Sequence, residues 1–350
     1  MFGQRLDGRI TTRRPPVRIL LDGLHGLVRG DGSPVNVAAV LDGIDRFQRE
    51  RSWAAIPFAV VKRYGESNTG NLAATIAYYG FFSLFPLLLV LSSVGGYVLH
   101  DRPDLQDQLL GSAVAQFPVV GPQIRQNVTS IQGSGMAVAV GLVLAIWAGL
   151  GGVRAAQGAM DTVWDVPRKQ RPRFPRSTGI ALLSLVVLAA FIVTAAAVTW
   201  LAGRTGGVAG ATVGVVASLA LNIGFFALGY RVLTTATVTW RQVLPGAILA
   251  GVGWTALLAL GGWLVSSRIS SSTHVYGTFA VVIGLLGWIY LGAQIALVGA
   301  VTNVVLAHRL WPRSLRGDLT AADRVALRRS AEQEERVPPE SVDVTFGDRS

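Results

Sequence analysis

Six stretches of the chain contain no Asp, Glu, Lys or Arg: Ser67–His100, Gln126–Val153, Ser177–Gly203, Thr205–Tyr230, Gln242–Ser267 and Ile269–His308. Each holds the roughly 20 apolar residues that a helix needs to cross a hydrocarbon core about 30 Å thick. Hydrophobicity within them is continuous rather than alternating. Backbone groups in lipid must be satisfied inside the segment, so the pattern predicts helices rather than barrel strands. The predicted spans are 72–99, 135–153, 178–202, 208–230, 243–265 and 278–307. The fold class that follows is an all-α polytopic membrane protein with six transmembrane helices.

Two flanking segments carry an amphipathic pattern. In Trp53–Tyr64 the apolar residues Trp53, Ile56, Val60, Val61 and Tyr64 recur at helical spacing, which predicts a juxtamembrane helix lying on the inner leaflet. Between the first two spans, Leu105/Leu109 and Ile124/Val128/Ile131 surround Pro118–Pro122 and predict a short helical hairpin on the outer face.

The positions of Lys and Arg orient the spans. Of 31 basic residues, 27 fall in the region up to Gly70, the loop after span two, the loop after span four and the tail. The three intervening loops hold only Arg102, Arg125, Arg204 and Arg268. By the positive-inside rule both termini are cytoplasmic. The expected organisation is a partly disordered cytoplasmic region at 1–52, a membrane domain at 53–307 and a partly disordered cytoplasmic tail at 308–350. That tail carries eight basic and eight acidic residues, with a short helix expected at Ala321–Glu335 and an unstructured end from Pro338. The first 34 residues are polar and interrupted by Pro15, Pro16 and Pro34, so they do not read as a cleavable signal peptide.

Composition supports the same class. The 350 residues are 51% hydrophobic and only 15% charged, against about 25% charged in a soluble domain. The arginine-, alanine- and glycine-rich balance fits a GC-rich bacterial genome. The net charge of +11 would suit nucleic acid, but the basic loop Arg154–Arg176 interleaves only Trp164 and Phe174. A juxtamembrane cluster of this kind is a topology determinant and a contact for anionic headgroups, worth about 1 kcal/mol per charge. The candidate anionic-lipid contacts are Arg154, Arg168, Lys169, Arg171, Arg173 and Arg176.

Catalytic chemistry has little to work with. There is no cysteine, the four histidines fall in four separate segments, and no apolar centre contains an acid. The cytoplasmic acids near a span are Asp161 and Asp165, read here as loop residues. No catalytic residue, metal or cofactor is expected. Transport chemistry is limited to polar residues within the spans, and the candidate path or gating set is Tyr78, Tyr79, Ser83, Pro86, Asn222, Gln294 and Asn303. Gln294 and Asn222 suit an interhelical hydrogen bond or a substrate contact equally. Pro86 removes a backbone bond and kinks span one, in either a moving or a static helix. Small-residue rows such as Gly210/Gly214, Gly141/Ala145/Gly149 and Gly292/Ala296/Ala300 allow close packing within the bundle or in a homo-oligomer. The expected partners are membrane lipids, anionic ones above all, and no nucleic acid.

Four ordered motifs carry a family resemblance. The run from Asn71 to Pro86, NLAATIAYYGFFSLFP, resembles the opening of the first span of the YihY/BrkB family. Trp147–Arg154 continuing to Trp164–Pro167, Leu244–Ala247, and Val275–Phe279 through Trp288–Leu291 to Gly299–Ala300 are similar to its later motifs. The resemblance covers roughly residues 65–306. It implies a bacterial inner-membrane protein with six spans and cytoplasmic termini, and supplies no catalytic residue to carry across. Members have borne the label ribonuclease BN, widely regarded as a misassignment. Others are linked to serum resistance or to movement of lipid or lipopolysaccharide precursors. Two positions depart from the pattern: Val301, followed by Thr302 and Asn303, stands where relatives often have an acid, and Asp161 where they often have Asn. The first functional expectation is transport of lipid or lipid-linked envelope precursors. The alternative is a non-transporting scaffold for envelope or virulence-related assembly. An RNA-cleaving enzyme ranks last, because the carboxylates that would hold its metal ions are missing.

Overall fold

The computed structural model describes residues 43, 45–48, 50–98, 135–205, 207–268, 277–314 and 319–346. Within them the regular structure is helical. The helices are α1 (Ser52–Glu66), α2 (Thr69–Val98), α3 (Gly135–Val163), α4 (Arg176–Thr205), α5 (Gly207–Leu233), α6 (Trp240–Arg268), α7 (Gly277–Ala307) and α8 (Ala321–Glu332). A single 3-10 turn, Arg168–Gln170, interrupts the connection between α3 and α4. The segment expected to form the outer hairpin lies outside the described residues, as does almost all of the N-terminal region.

Six helices of 27 to 31 residues, α2 to α7, form a closed ring. Each packs on its successor, and α7 returns to α2, while α3 also reaches α5 and α7. Four of the six contain described segments long and apolar enough to cross a membrane: Arg176–Arg204, Gly210–Leu233, Trp240–Trp263 and Val282–Ala307. Such lengths follow from charge-free sequence. A helix hydrophobic all round needs no polar face, because lipid replaces water as its outer neighbour.

One helix boundary and one helix face differ from the sequence pattern. Span two was expected to stop at Val153, yet α3 runs ten residues farther, to Val163. Arg154 and Asp161 therefore stand on a helix and not in a loop. Helical hydrogen bonding continues past the first charge; only the apolar run ends there. On α1 the buried side is Ala54, Ala55, Ala59 and Arg63, while Trp53, Pro57 and Val61 form an outward stripe. The small residues let α1 lie close against the ring, and the bulky ones are left for an apolar surrounding.

The buried core is concentrated at one end of the ring, where α3, α5 and α7 finish and α6 begins. It includes Met160, Val163, Trp164, Tyr230, Val243, Ala247, Leu297, Val301, Val304 and Leu310. The α3–α4 connection, the α5–α6 connection, α1 and α8 gather at this same arginine-rich end. Asp161, for example, accepts from the Thr235 backbone N–H at 2.8 Å and from its hydroxyl at 2.9 Å. The short tail helix is set by its N-cap. The Thr320 hydroxyl accepts from the Asp323 N–H while the Asp323 carboxylate accepts from the Thr320 N–H, a capping box.

Candidate functional site

Two buried arginines organise the arginine-rich end. Arg63 of α1 pairs with Asp165, just past α3, at 2.5 Å, and both side chains are almost completely buried. The same guanidinium donates to the Val163 carbonyl at 3.1 Å and to the Ser330 hydroxyl of α8 at 3.3 Å. Burial raises the Asp165 carboxyl, and the charge and hydrogen bond of Arg63 oppose that rise. Arg313 is held by Asp323 at 2.7 Å and by Glu66 at 2.5 Å. Asp323 also accepts from Lys62 at 2.8 Å and from the Ser314 N–H at 2.9 Å. Burial alone would raise the Asp323 carboxyl, but hydrogen bonds from Lys62, Ser314, Thr320 and Arg313 hold it well below the usual carboxylate range. Together these pairs tie α1, the end of α3 and the tail into one unit.

The residues expected to form a transport path fall into separate groups. Gln294 of α7 accepts from the Tyr64 hydroxyl of α1 and donates to Tyr290 at 2.5 Å. Asn222 of α5 donates to Thr255 of α6 at 3.2 Å. Asn303 of α7 is fully buried and accepts from the Gly246 N–H of α6 at 2.6 Å. Ser83 donates to the carbonyl of Gly80 on its own helix. Each of these is a bond within or between helices, of the kind worth about 0.6 kcal/mol on average in membranes.

Tyr78 and Tyr79 behave differently. They are 56% and 43% exposed, and no hydrogen bond from either phenol is formed among the described residues. Tyr78 stacks edge-on with Tyr79 and Phe82, and Tyr79 lies over Gly151 of α3. They stand nine and ten residues into α2, about 14 Å along its axis. Pro86 lies within the same continuous helix, its side chain outside the described residues.

The basic loop also divides. Arg154 bonds Thr178 at 3.0 Å. Arg168 pairs with Glu334 at 3.4 Å, Lys169 with Glu335 at 2.8 Å, and Arg171 donates to the Val166 carbonyl and Thr162 hydroxyl, both at 3.3 Å. Arg173 and Arg176 instead point outward, with Phe174 between them 81% exposed. Aromatic–arginine contacts are made elsewhere. Arg51 lies 4.9 Å from the Phe47 ring beside Trp53, Arg231 lies 4.7 Å from Trp240, and at the far end Arg204 lies 4.1 Å from Trp200. Trp240 and Trp263, both exposed, stand about 35 Å apart along α6. That spacing matches two aromatic belts at the faces of a bilayer. Among the described residues no three His, Asp or Glu side chains come together as metal ligands.

A family model described as virulence factor BrkB matches residues 60–322, three quarters of the chain. The chain belongs to the BrkB family. The ribonuclease-like protein YfkH of Bacillus subtilis is 26% identical over 71% of this chain and 93% of its own length. The inner membrane protein YhjD of Escherichia coli is 22% identical over 81% of this chain and 90% of its own. A UPF0761 membrane protein of Stenotrophomonas maltophilia is 28% identical over 73% of this chain, which spans 61% of that longer relative. No solved structure matches significantly. This BrkB-family chain is a multi-pass protein of the inner membrane.

Several structural residues of this BrkB protein escape a reading of its sequence. Tyr64 and Gln294 are 230 positions apart, so no local period pairs them. Arg63 and Asp165 had one available clue: the chain has few acids near its spans, and the basic pair Lys62–Arg63 lies shortly before a charge-free run. Asp323 was visible only as the last residue of a Thr-x-x-Asp start, three places after the cap.

Proposed function

We propose that this BrkB-family protein spans the inner membrane six times with both termini in the cytoplasm, and takes part in moving lipid or lipid-linked envelope precursors across or from that membrane. The observation that carries the reading is the pair Tyr78 and Tyr79. Both residues are exposed on α2, and neither phenol has a hydrogen bond among the described residues. A phenol left without a partner in hydrocarbon is costly, and a headgroup travelling along that helix would supply one. The outward Arg173–Phe174–Arg176 segment supports capture of anionic headgroups at the cytoplasmic edge. The six-span topology is supported by the closed ring of six long helices and by the crowding of arginine at one end. The reading assigns no enzymatic step.

The test is lipid translocation in liposomes. Purified protein is reconstituted with fluorescent phospholipids, with and without a proton or sodium gradient, beside Tyr78→Phe/Tyr79→Phe and Pro86→Ala variants. Flipping that needs the wild-type protein and weakens in the double phenylalanine variant supports the proposal, and gradient dependence names the energy source. Equal flipping in all variants removes the tyrosine path. No flipping by folded protein shifts the reading to a scaffold.

A further inference from the structure

The basic loop after α3 is covered by the protein's own tail. Beyond α8, residues 333–342 run alongside the 3-10 turn at Arg168–Gln170. The Arg168 N–H donates to the Gln333 carbonyl at 3.2 Å, and the Lys169 N–H donates to the Glu335 carbonyl at 2.9 Å. The Lys169 ammonium meets the Glu335 carboxylate at 2.8 Å and the Glu340 carbonyl at 3.0 Å. Arg168 meets Glu334. Charge is complementary along the whole contact. Residues 168–176 contain five basic side chains and no acid, while residues 332–346 contain five acids and one base.

The hold is uneven. The tail helix α8 is fixed by Asp323 among Lys62, Arg313 and Ser314, a largely buried knot. The following segment rests on two backbone bonds, the Gln333 side-chain amide donating to the Thr162 carbonyl at 3.1 Å, the mostly buried Lys169–Glu335 pair and the exposed Arg168–Glu334 pair. Beyond Glu335 only the Glu340 carbonyl meets the loop, through Lys169, while Pro338 and Pro339 have no N–H to add. The exposed Arg168–Glu334 pair is weak and easily replaced by another anion, which opens the edge of the contact. We propose that residues 333–342 are a detachable acidic latch that competes with anionic phospholipid for Arg168 and Lys169. Release of the latch extends the outward Arg173–Arg176 surface into one continuous headgroup-binding strip. The inference rests on the anionic-lipid reading of the basic loop given above, and it adds that the tail controls access to it.

The experiment uses the full-length protein in nanodiscs of phosphatidylcholine alone or with phosphatidylglycerol. Amide hydrogen exchange is followed at 166–171 and 333–342, and retained phosphatidylglycerol is counted by native mass spectrometry. Wild-type protein is expected to exchange several-fold faster at both segments when phosphatidylglycerol is present. Glu334→Gln/Glu335→Gln should exchange fast in both discs and retain more phosphatidylglycerol than wild type. Arg168→Gln/Lys169→Gln should exchange fast with no such gain. Identical wild-type exchange in the two discs, while retention still falls in Arg173→Gln/Arg176→Gln, overturns the latch and leaves the lipid reading intact. Retention unaltered by any of these variants overturns the lipid reading and the latch with it.

Discussion

Gly246 of α6 and Gly299 of α7 meet backbone to backbone. A Cβ on Gly299 would lie 2.6 Å from the Gly246 carbonyl oxygen and 3.1 Å from the Ala250 Cβ, and would strike the Tyr230 hydroxyl. A Cβ on Gly246 would strike the Gly299 carbonyl. Two helices cannot close to this distance with any larger side chain at either position, so this crossing fixes how α6 and α7 are set beside α5.

Gly299→Ala is therefore expected to destabilise the protein by about 1–3 kcal/mol, the usual cost of overpacking. Gly224→Ala, on α5 with open space around its Cα, is expected to be neutral or to gain up to about 1 kcal/mol from helix propensity. Thermal unfolding of both variants in detergent distinguishes them by sign. Equal behaviour would show that the crossing does not limit stability.

Removing one partner of the Arg63–Asp165 pair leaves a buried charge uncompensated. Arg63→Met alone is expected to cost about 3–5 kcal/mol, and Arg63→Met with Asp165→Leu distinctly less than that. A double-mutant cycle measured by chemical denaturation reads the coupling directly. Costs that simply add would mean the two charges do not depend on one another.

His308, one residue beyond α7, is held neutral. Burial and the cations Arg329 and Arg63 push it down from 6.5 to about 4, and its Nε2 lies 3.2 Å from the Arg329 guanidinium. The unfolded chain takes up a proton near 6.5 that the folded chain refuses. Stability is therefore unaffected above 6.5 and falls as pH drops from 6.5 towards 4, by at most about 1.4 kcal/mol per pH unit. His308→Gln should flatten that slope. Asp323, whose folded carboxyl is depressed, contributes stability that is present above its ordinary 3.8 and lost only below it, so the two groups act in separate windows. Melting curves from pH 7 to pH 4.5 on wild type and His308→Gln test the assignment.

The α8 N-cap gives a local prediction. Thr320→Ala removes the acceptor for the Asp323 N–H and should cost about 1 kcal/mol. The loss should show as faster hydrogen exchange in Ala321–Glu332 with little change in α4 or α5. Uniform loss of protection across the ring would instead mean that the tail and the bundle unfold as one unit.

Much of the fold was legible because lipid imposes a blunt rule: a segment without charge and about 20 residues long becomes a helix. The α4 and α7 helices obey it closely, beginning and ending within a few residues of the expected spans. The rule reads lipid exposure, not hydrogen bonding, and so it stopped at Arg154 although α3 continues to Val163. It also could not choose the inner face of α1. Periodicity ranks Trp53 above Ala59, whereas close packing places Ala59 inside and leaves Trp53 to the surroundings. Of the candidate site, the exposure of Tyr78 and Tyr79 was not legible, because a helix that is apolar all round has no polar period to mark one face. Nor was the division of the basic loop, because Glu334 and Glu335 lie some 166 residues from the cations that they meet.

The one-sided core gives the bundle a fulcrum. With Val163, Val243, Leu297 and Val304 locked together at the arginine-rich end, helices about 45 Å long are levers anchored at their bases. A tilt of about 10° about that anchor carries the opposite tip of a helix through about 8 Å, while the ion pairs at the base scarcely shift. Motion in this chain is thus expected to grow with distance from Arg63, and a pair of labels at the far ends of α4 and α6 would move most.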